Sequence, residues 1–91
     1  MKILIDKSFV KDVDKIRDKK VLQNLTSLII ELENSKSLAD LPHVKKIKGY
    51  DYFFRIRIGN YRLGLEEIRG KGICLTRFLH RKDIYKYFLL K

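Results

Sequence analysis

The sequence predicts a small α+β domain in which an N-terminal strand and a helical hairpin precede a three- to four-stranded antiparallel meander and a short C-terminal helix. Apolar residues recur at helical spacing between residues 21 and 32. Residues 52–66 instead alternate like a strand pair around a tight turn at Gly59 and Asn60. A chain of 91 residues has room for one core, so residues 1–91 are expected to form a single domain.

The N-terminal half is predicted to hold one strand and two helices. Residues 2–5 are β-prone, and Ser8 stands where an N-cap would start the first helix. Apolar residues at helical spacing carry this helix to Arg17, and the charged residues 17–20 mark a break. The second helix has one apolar stripe, formed by Val21, Leu22, Leu25, Leu28, Ile29 and Leu32. The two helices are therefore expected to form a hairpin across the sheet.

The C-terminal half is predicted to consist mainly of strands. A loop over residues 34–42 leads to a strand at residues 44–48, then to the hairpin of residues 52–66. A turn at residues 69–72 precedes a last strand at residues 73–79. Residues 82–91 are expected to close the chain as a short helix or turn with an apolar side, which carries Ile84, Tyr85, Phe88 and Leu89.

The hairpin register places Arg57 opposite Arg62, and Arg55 opposite Gly64, on one face of the strand pair. Like charges directly across a strand pair are destabilising, so this face indicates a function. One interpretation is that the arginines splay into water and cover apolar surface with their stems. The other is an anion site, because guanidinium groups bind phosphate through two parallel hydrogen bonds. Gly64 is expected to leave open space beside Arg55.

The charge balance favours a polyanionic partner. The chain has 21 Lys plus Arg and 11 Asp plus Glu, a formal charge of +10, which suits nucleic acid and would suit an acidic protein as well. Lys45, Lys46 and Lys48 precede the hairpin, either as a solvated face or as further phosphate contacts.

Several classes of site and location are not indicated. The apolar start is interrupted at Asp6, so no signal peptide or membrane segment is expected, and the cytoplasm is the default location. Cys74 is the single cysteine, which excludes an intramolecular disulfide and a cysteine-based zinc site. His43 follows Pro42 in a loop, without a second ligand at metal spacing, and is assigned no role. No cofactor or metal is predicted.

The register of the last strand is open, because neither of its faces is cleanly polar. One permitted pairing places His80 opposite Arg62. We adopt this pairing as a hypothesis, since it would give the anion site a group that titrates near neutral pH.

Three segments carry a resemblance that spans essentially the whole chain: KKIKGY at residues 45–50, RIRIGNYR at residues 55–62 and HRKDIY at residues 80–85. In this order they resemble the RelE/ParE superfamily of toxins from type II toxin-antitoxin systems. The resemblance implies a RelE-like fold, a cognate acidic antitoxin in a hetero-oligomer and, in the RelE branch, cleavage of mRNA on the ribosome.

The resemblance also implies roles for individual residues. Arg55, Arg57 and Arg62 match basic positions of RelE-type toxins, and Tyr85 matches a C-terminal tyrosine. The expected reaction is metal-independent attack of a ribose 2′-OH on the adjacent phosphate. Arg62 would neutralise growing charge and Tyr85 would stack on a base or orient the phosphate.

His80 is inferred to transfer the proton in this reaction. Arg55 and Arg57 are poor candidates for the base, because arginine does not readily lose a proton. Arg81 would bind phosphate or pair with Asp83 at the surface.

Two other functions stay open. A ParE-like toxin would inhibit DNA gyrase without enzymatic activity, and a basic RNA-binding module would cut nothing.

Overall fold

A mixed five-stranded sheet forms the centre of the structure, a computed structural model that describes residues 1–88. Its strands are β1 (Ile3–Ile5), β2 (Val44–Lys46), β3 (Phe53–Ile58), β4 (Tyr61–Ile68) and β5 (Gly72–His80). They lie in the order β1-β5-β4-β3-β2. Strands β2 to β5 form the predicted antiparallel meander, and β1 adds to β5 in parallel.

Three helices accompany this sheet in the described residues: α1 (Lys7–Asp14), α2 (Lys19–Asn34) and α3 (Ile84–Tyr87). A single 3-10 turn at Leu38–Asp40 interrupts the loop after α2. The predicted α+β class and order of elements are confirmed. The prediction for Leu89 lies outside the described residues. Within residues 1–88, no helix has the length and apolar character needed to cross a bilayer.

The first helix begins earlier than predicted. Its N-cap is Asp6, whose carboxylate accepts the backbone N–H of Ser8 at 2.9 Å. The prediction of Ser8 as the cap is therefore wrong, because the carboxylate two residues earlier already satisfies the free N–H group of the first turn.

The same helix also ends earlier, at Asp14 instead of Arg17. Asp18 caps α2 by accepting two backbone N–H groups of its first turn, so the chain needs a non-helical connection before it. Ile16 lies in this connection and is still buried in the core.

Helices α1 and α2 pack on one side of the sheet, called here the helix face. Its buried sheet residues include Ile56, Leu63, Leu65, Leu75 and Phe78. From α2, Leu25 and Leu32 are buried against them, and the rest of the predicted stripe is packed around this core. A fully buried side chain of this kind contributes about 1.5–3 kcal/mol, so this face supplies most of the apolar stabilisation.

A one-residue bulge in β5 explains why the pattern of this strand is ambiguous. Gly64 lies opposite Arg77 but Leu65 lies opposite Leu75, so Thr76 has no partner on β4. The extra residue reverses the alternation. As a result Leu75 and Phe78 both reach the helix face, although they are three residues apart.

The register after this bulge contradicts the predicted pairing of His80. Arg62 lies opposite Leu79, and His80 lies opposite Tyr61. The predicted register would have placed Phe78 opposite Gly64, away from the helix-face core in which Phe78 is 1% exposed. Burial of this large aromatic side chain decides the register.

The opposite side of the sheet, called here the arginine face, carries a smaller core. Ile84 and Phe88 are fully buried there against Phe53 and Leu79. The ring of Phe88 occupies the space at Gly64, where an added Cβ would lie 2.9 Å from ring atoms. The prediction that Gly64 leaves open space beside Arg55 is therefore wrong.

The free edge of β5 is closed by an acidic side chain of α1. Strand β1 pairs only with the first part of β5. Beyond it, the Asp12 carboxylate accepts the Phe78 N–H at 2.9 Å and two guanidinium N–H groups of Arg77 at 2.8 and 3.0 Å. Asp12 thus replaces a neighbouring strand.

Candidate nucleic-acid interface

Four basic residues of three adjacent strands share the arginine face. As predicted, Arg57 lies opposite Arg62 and Arg55 lies opposite Gly64. Lys45 of β2 lies opposite Arg55 and extends the row. The two-residue turn between β3 and β4 fixes this arrangement, because Gly59 adopts a φ of 57° that favours glycine.

Arg62 is the buried member of this group and is 8% exposed. Its Nη1 donates to the carbonyl oxygens of Gly59 at 3.0 Å and Tyr61 at 2.9 Å. Burial lowers the pKa of the Arg62 guanidinium, since it disfavours the charged form, and Arg57 and Arg55 lower it further. Arg62 is therefore a positioned cation held among other cations.

Two predicted residues of the C-terminal segment lie near this cation. Tyr85 and Arg81 both act on the pKa of Arg62, with Tyr85 raising it and Arg81 lowering it. The backbone N–H of Arg81 donates to the Asn60 carbonyl at 2.7 Å, which ties the segment before α3 to the hairpin turn. Tyr85 is 51% exposed. The structure thus brings Arg55, Arg57, Arg62, Arg81 and Tyr85 together.

His80 is not part of this group. Its side chain lies on the helix face, edge-on to the Tyr61 ring at 5.8 Å between centroids. Its Nδ1 accepts the backbone N–H of Lys82 at 3.2 Å. His80 lines a cavity of about 450 Å³ at the edge of β5, together with Asp12, Arg77 and Tyr87. Because His80 lies opposite Tyr61, the sheet separates its ring from Arg55, Arg57 and Arg62.

Two of the three predicted lysines also lie apart from the arginine face. Lys46 lies opposite Phe54, on the helix face. Its Nζ is 3.6 Å from a carboxylate oxygen of Asp51 at the exposed surface. Lys48 is exposed in the turn after β2. Of these lysines, the strand register places Lys45 with the arginines.

His43, for which the sequence predicts no role, lies beside the arginines. It lines a cavity of about 280 Å³ together with Pro42, Lys45, Arg55 and Arg57. No spacing rule would have found it, since it is 12 residues from Arg55 and 14 from Arg57 along the chain. The pairing of β2 with β3 brings these residues together.

This arrangement suits a phosphodiester of single-stranded nucleic acid. Guanidinium groups form charge-assisted hydrogen bonds to phosphate oxygens. A preorganised, partly desolvated donor such as Arg62 stabilises charge that develops on those oxygens. An exposed aromatic ring beside them offers a surface on which an unstacked base can stack. Within residues 1–88, no three His, Cys, Asp or Glu side chains are grouped as they would be to hold a metal ion.

Comparison with known proteins gives a consistent set of relatives. The family described as ParE toxin of type II toxin-antitoxin system, parDE, matches residues 3–85. Toxin RelE3 of Methanocaldococcus jannaschii is 47% identical over 89 residues, which cover 97% of this chain and 99% of that protein.

Solved structures agree with the fold. A chain of the RelB-RelE antitoxin-toxin complex from Methanococcus jannaschii superposes with a TM-score of 0.78 at 44% identity, over 93% of this chain and 98% of that chain. YafQ from E. coli superposes with a TM-score of 0.63 at 17% identity, over 92% of this chain and 97% of that chain. The second likeness concerns the fold alone.

Proposed function

Because this chain belongs to the ParE toxin family of type II toxin-antitoxin systems, within the RelE/ParE superfamily that its sequence resembles, we propose that it is a toxin that cleaves mRNA on the ribosome. One observation carries the proposal. Arg62 is buried and held by two carbonyl oxygens beside Arg57 and Arg55, on the face where the Tyr85 ring is exposed. Like charges across a strand pair lower the stability of the fold, so their concentration here fits a site that binds a phosphodiester.

The proposed reaction is a transesterification that needs no metal at the reacting phosphate. The ribose 2′-oxygen forms a bond to the adjacent phosphorus and loses its proton. The bond from phosphorus to the 5′-oxygen breaks, and that oxygen gains a proton. Arg62, with Arg55 and Arg57, stabilises the negative charge on the non-bridging oxygens. Arg81 adds a further positive charge, and Tyr85 stacks on a base or orients the phosphate.

The predicted proton transfer by His80 loses its structural basis, because it rested on a cross-strand position opposite Arg62 and that pairing is wrong. For an RNA strand on the arginine face, His80 could act only if the strand also reached around the end of the sheet. The arginine site can be tested without deciding which group moves the proton.

We also propose that a cognate acidic antitoxin covers the arginine face. The related structure from Methanococcus jannaschii is a complex of toxin and antitoxin, and a chain of charge +10 should associate quickly and in a salt-sensitive way with an acidic partner. Antitoxin binding should then weaken the toxin's hold on RNA. Equal RNA affinity of free toxin and purified complex would contradict a shared surface.

The main test is to map RNA ends in cells after induction of the toxin. New mRNA 5′ ends should appear within coding regions, and they should be absent with Arg62→Ala. Arg69→Ala is a matched control, because it removes the same charge at an exposed position in the turn between β4 and β5. Uncut mRNA with the parent protein would contradict the proposal.

The second candidate is a ParE-like toxin that inhibits DNA gyrase. The match of residues 3–85 to a family described by the name ParE favours it. The same induced cells distinguish the two functions, since arrested DNA replication with intact mRNA would support the gyrase inhibitor. Cut mRNA before any effect on replication would support the endoribonuclease.

A further inference from the structure

A cationic cavity lies beside β2, next to the site proposed for the reacting phosphate. Its volume is about 280 Å³, and it is lined by Pro42, His43, Lys45, Arg55 and Arg57. His43 precedes β2 directly, Lys45 belongs to β2, and Arg55 and Arg57 belong to β3. The paired strands therefore supply all of its positive charge.

His43 stands between this cavity and a second one. The second cavity, of about 340 Å³, lies between α2 and β3 and is lined by His43, Arg57 and Glu31, among others. The charged residues that share a cavity with His43 are thus Lys45 on β2, Arg55 and Arg57 on β3, and Glu31 on α2. Positive groups outnumber the single carboxylate, which favours an anion in the space that they share.

Arg57 connects this cavity with Arg62. It lines the cavity, and it also lies directly opposite Arg62 in the hairpin. Adjacent strands lie about 4.8 Å apart, so groups on β2 and β4 are separated by about 10 Å. An RNA strand that crosses the arginine face from β4 to β2 would bring a second phosphate to the cavity.

We propose that the cavity formed by His43, Lys45, Arg55 and Arg57 binds a second phosphate of the RNA strand, and that His43 donates a hydrogen bond to it. The inference rests on the proposed function and deepens it by defining a phosphate subsite. A histidine ring carries at least one N–H donor in both protonation states, so His43 can donate to a phosphate oxygen beside the three charged side chains.

The two histidines of the chain allow a direct test by NMR. The protein is titrated with inorganic phosphate and with a short 2′-O-methyl RNA, which cannot be cleaved because its 2′-oxygen is blocked. The ring signals of His43 should shift with both probes. Those of His80 should not, because His80 lies on the helix face. An unmoved His43 signal, or equal shifts of both rings, would overturn the subsite.

Salt dependence gives a second, quantitative test. Each neutralised phosphate contributes about 0.7 to the slope of log affinity against log salt for a single strand. The slope for the 2′-O-methyl RNA should therefore be shallower by up to about 0.7 in Lys45→Gln, which removes one charge from the subsite. Lys46→Gln is the matched control, because Lys46 lies on the helix face, and it should leave the slope unchanged. His43→Gln should weaken binding of the same RNA, and His80→Gln should not.

These tests separate the subsite from the proposed enzyme activity. Neither test measures cleavage. If the protein binds RNA through His43 but never cuts mRNA, the subsite is supported and the proposed enzyme activity is contradicted. If the protein cuts mRNA but Lys45→Gln leaves the salt slope unchanged and His43→Gln leaves the RNA affinity unchanged, the enzyme activity stands and the subsite is overturned.

Discussion

The ring of Phe88 lies directly on Gly64. A Cβ added to this glycine would lie between 2.9 and 3.0 Å from three atoms of the ring. Phe88 also packs edge-on against Phe53, at 5.5 Å between ring centroids. These contacts dock the C-terminal segment on the arginine face. Tyr85 lies three residues before Phe88, so the packing at Gly64 also holds the Tyr85 ring beside Arg62.

Gly64→Ala should therefore disturb the docking of α3 and, through it, the site. Overpacking of this kind costs about 1–3 kcal/mol of unfolding free energy, and displacement of Tyr85 should lower cleavage as well. Urea unfolding and single-turnover cleavage on programmed ribosomes measure the two effects. Adding Phe88→Leu should recover part of both, because it removes the ring that collides with the new methyl group. Unchanged stability of Gly64→Ala would show that α3 is free to move away.

Arg62 tests the phosphate site itself. Arg62→Ala should abolish toxicity with the fold retained, and Arg62→Lys should restore little activity, because lysine keeps the charge but lacks the planar fork. Toxicity at equal expression is the measurement, and Arg69→Ala is the control for lost charge. If Arg62→Ala stays fully toxic, Arg62 is a structural residue of the hairpin and not part of the phosphate site.

Arg57→Gln should stabilise the protein. Arg57 is exposed and opposite Arg62, and relief of this repulsion is worth about 0.2–1 kcal/mol on the scale of cross-strand pairs. Arg57 lowers the pKa of Arg62, which is the direction expected when the two cations repel each other. The gain in unfolding free energy should shrink at high salt, because salt screens exposed charges. A destabilised variant would mean that the Arg57 stem packs against the sheet.

Asp12 tests the closure of the β5 edge. Asp12→Asn leaves fewer acceptors for the Arg77 guanidinium and the Phe78 N–H, and should cost about 1–3 kcal/mol of stability. Asp14→Asn is the matched control, since Asp14 is an exposed carboxylate of the same helix. Urea unfolding of both variants gives the comparison. Equal stabilities would show that water replaces the carboxylate at this edge.

His80 tests on which side of the sheet the proton is transferred. With His80 on the helix face, His80→Gln should reduce cleavage by much less than the roughly 10²-fold to 10⁴-fold loss that follows removal of a positioned acid or base. Tyr85→Ala, on the arginine face, should reduce it more. Single-turnover cleavage on programmed ribosomes, with saturating protein, is the measurement. A loss of 10²-fold or more in His80→Gln would return proton transfer to this residue.

Local patterns were sufficient for the hairpin and for the second helix. The two-residue turn at Gly59 and Asn60 sets the register of β3 and β4, so the opposition of Arg57 and Arg62 could be predicted from neighbours in the chain. The stripe of α2 is likewise a property of one segment. These features depend on residues a few positions apart, where turn geometry and helical periodicity act directly.

Contacts between distant segments had to be read from the tertiary structure. Both faces of β5 carry apolar residues, so its sequence allows several registers, and burial of Phe78 with a bulge at Thr76 selects one of them. That choice places His80 away from Arg62. The pairing of β2 with β3 places His43 beside Arg55, and the packing of Phe88 fills the space at Gly64. Residues close together in the chain were therefore enough to predict the elements and the arginine row. Packing between segments far apart in the chain decided which other side chains join that row, because burial free energy depends on the whole core and not on any one segment.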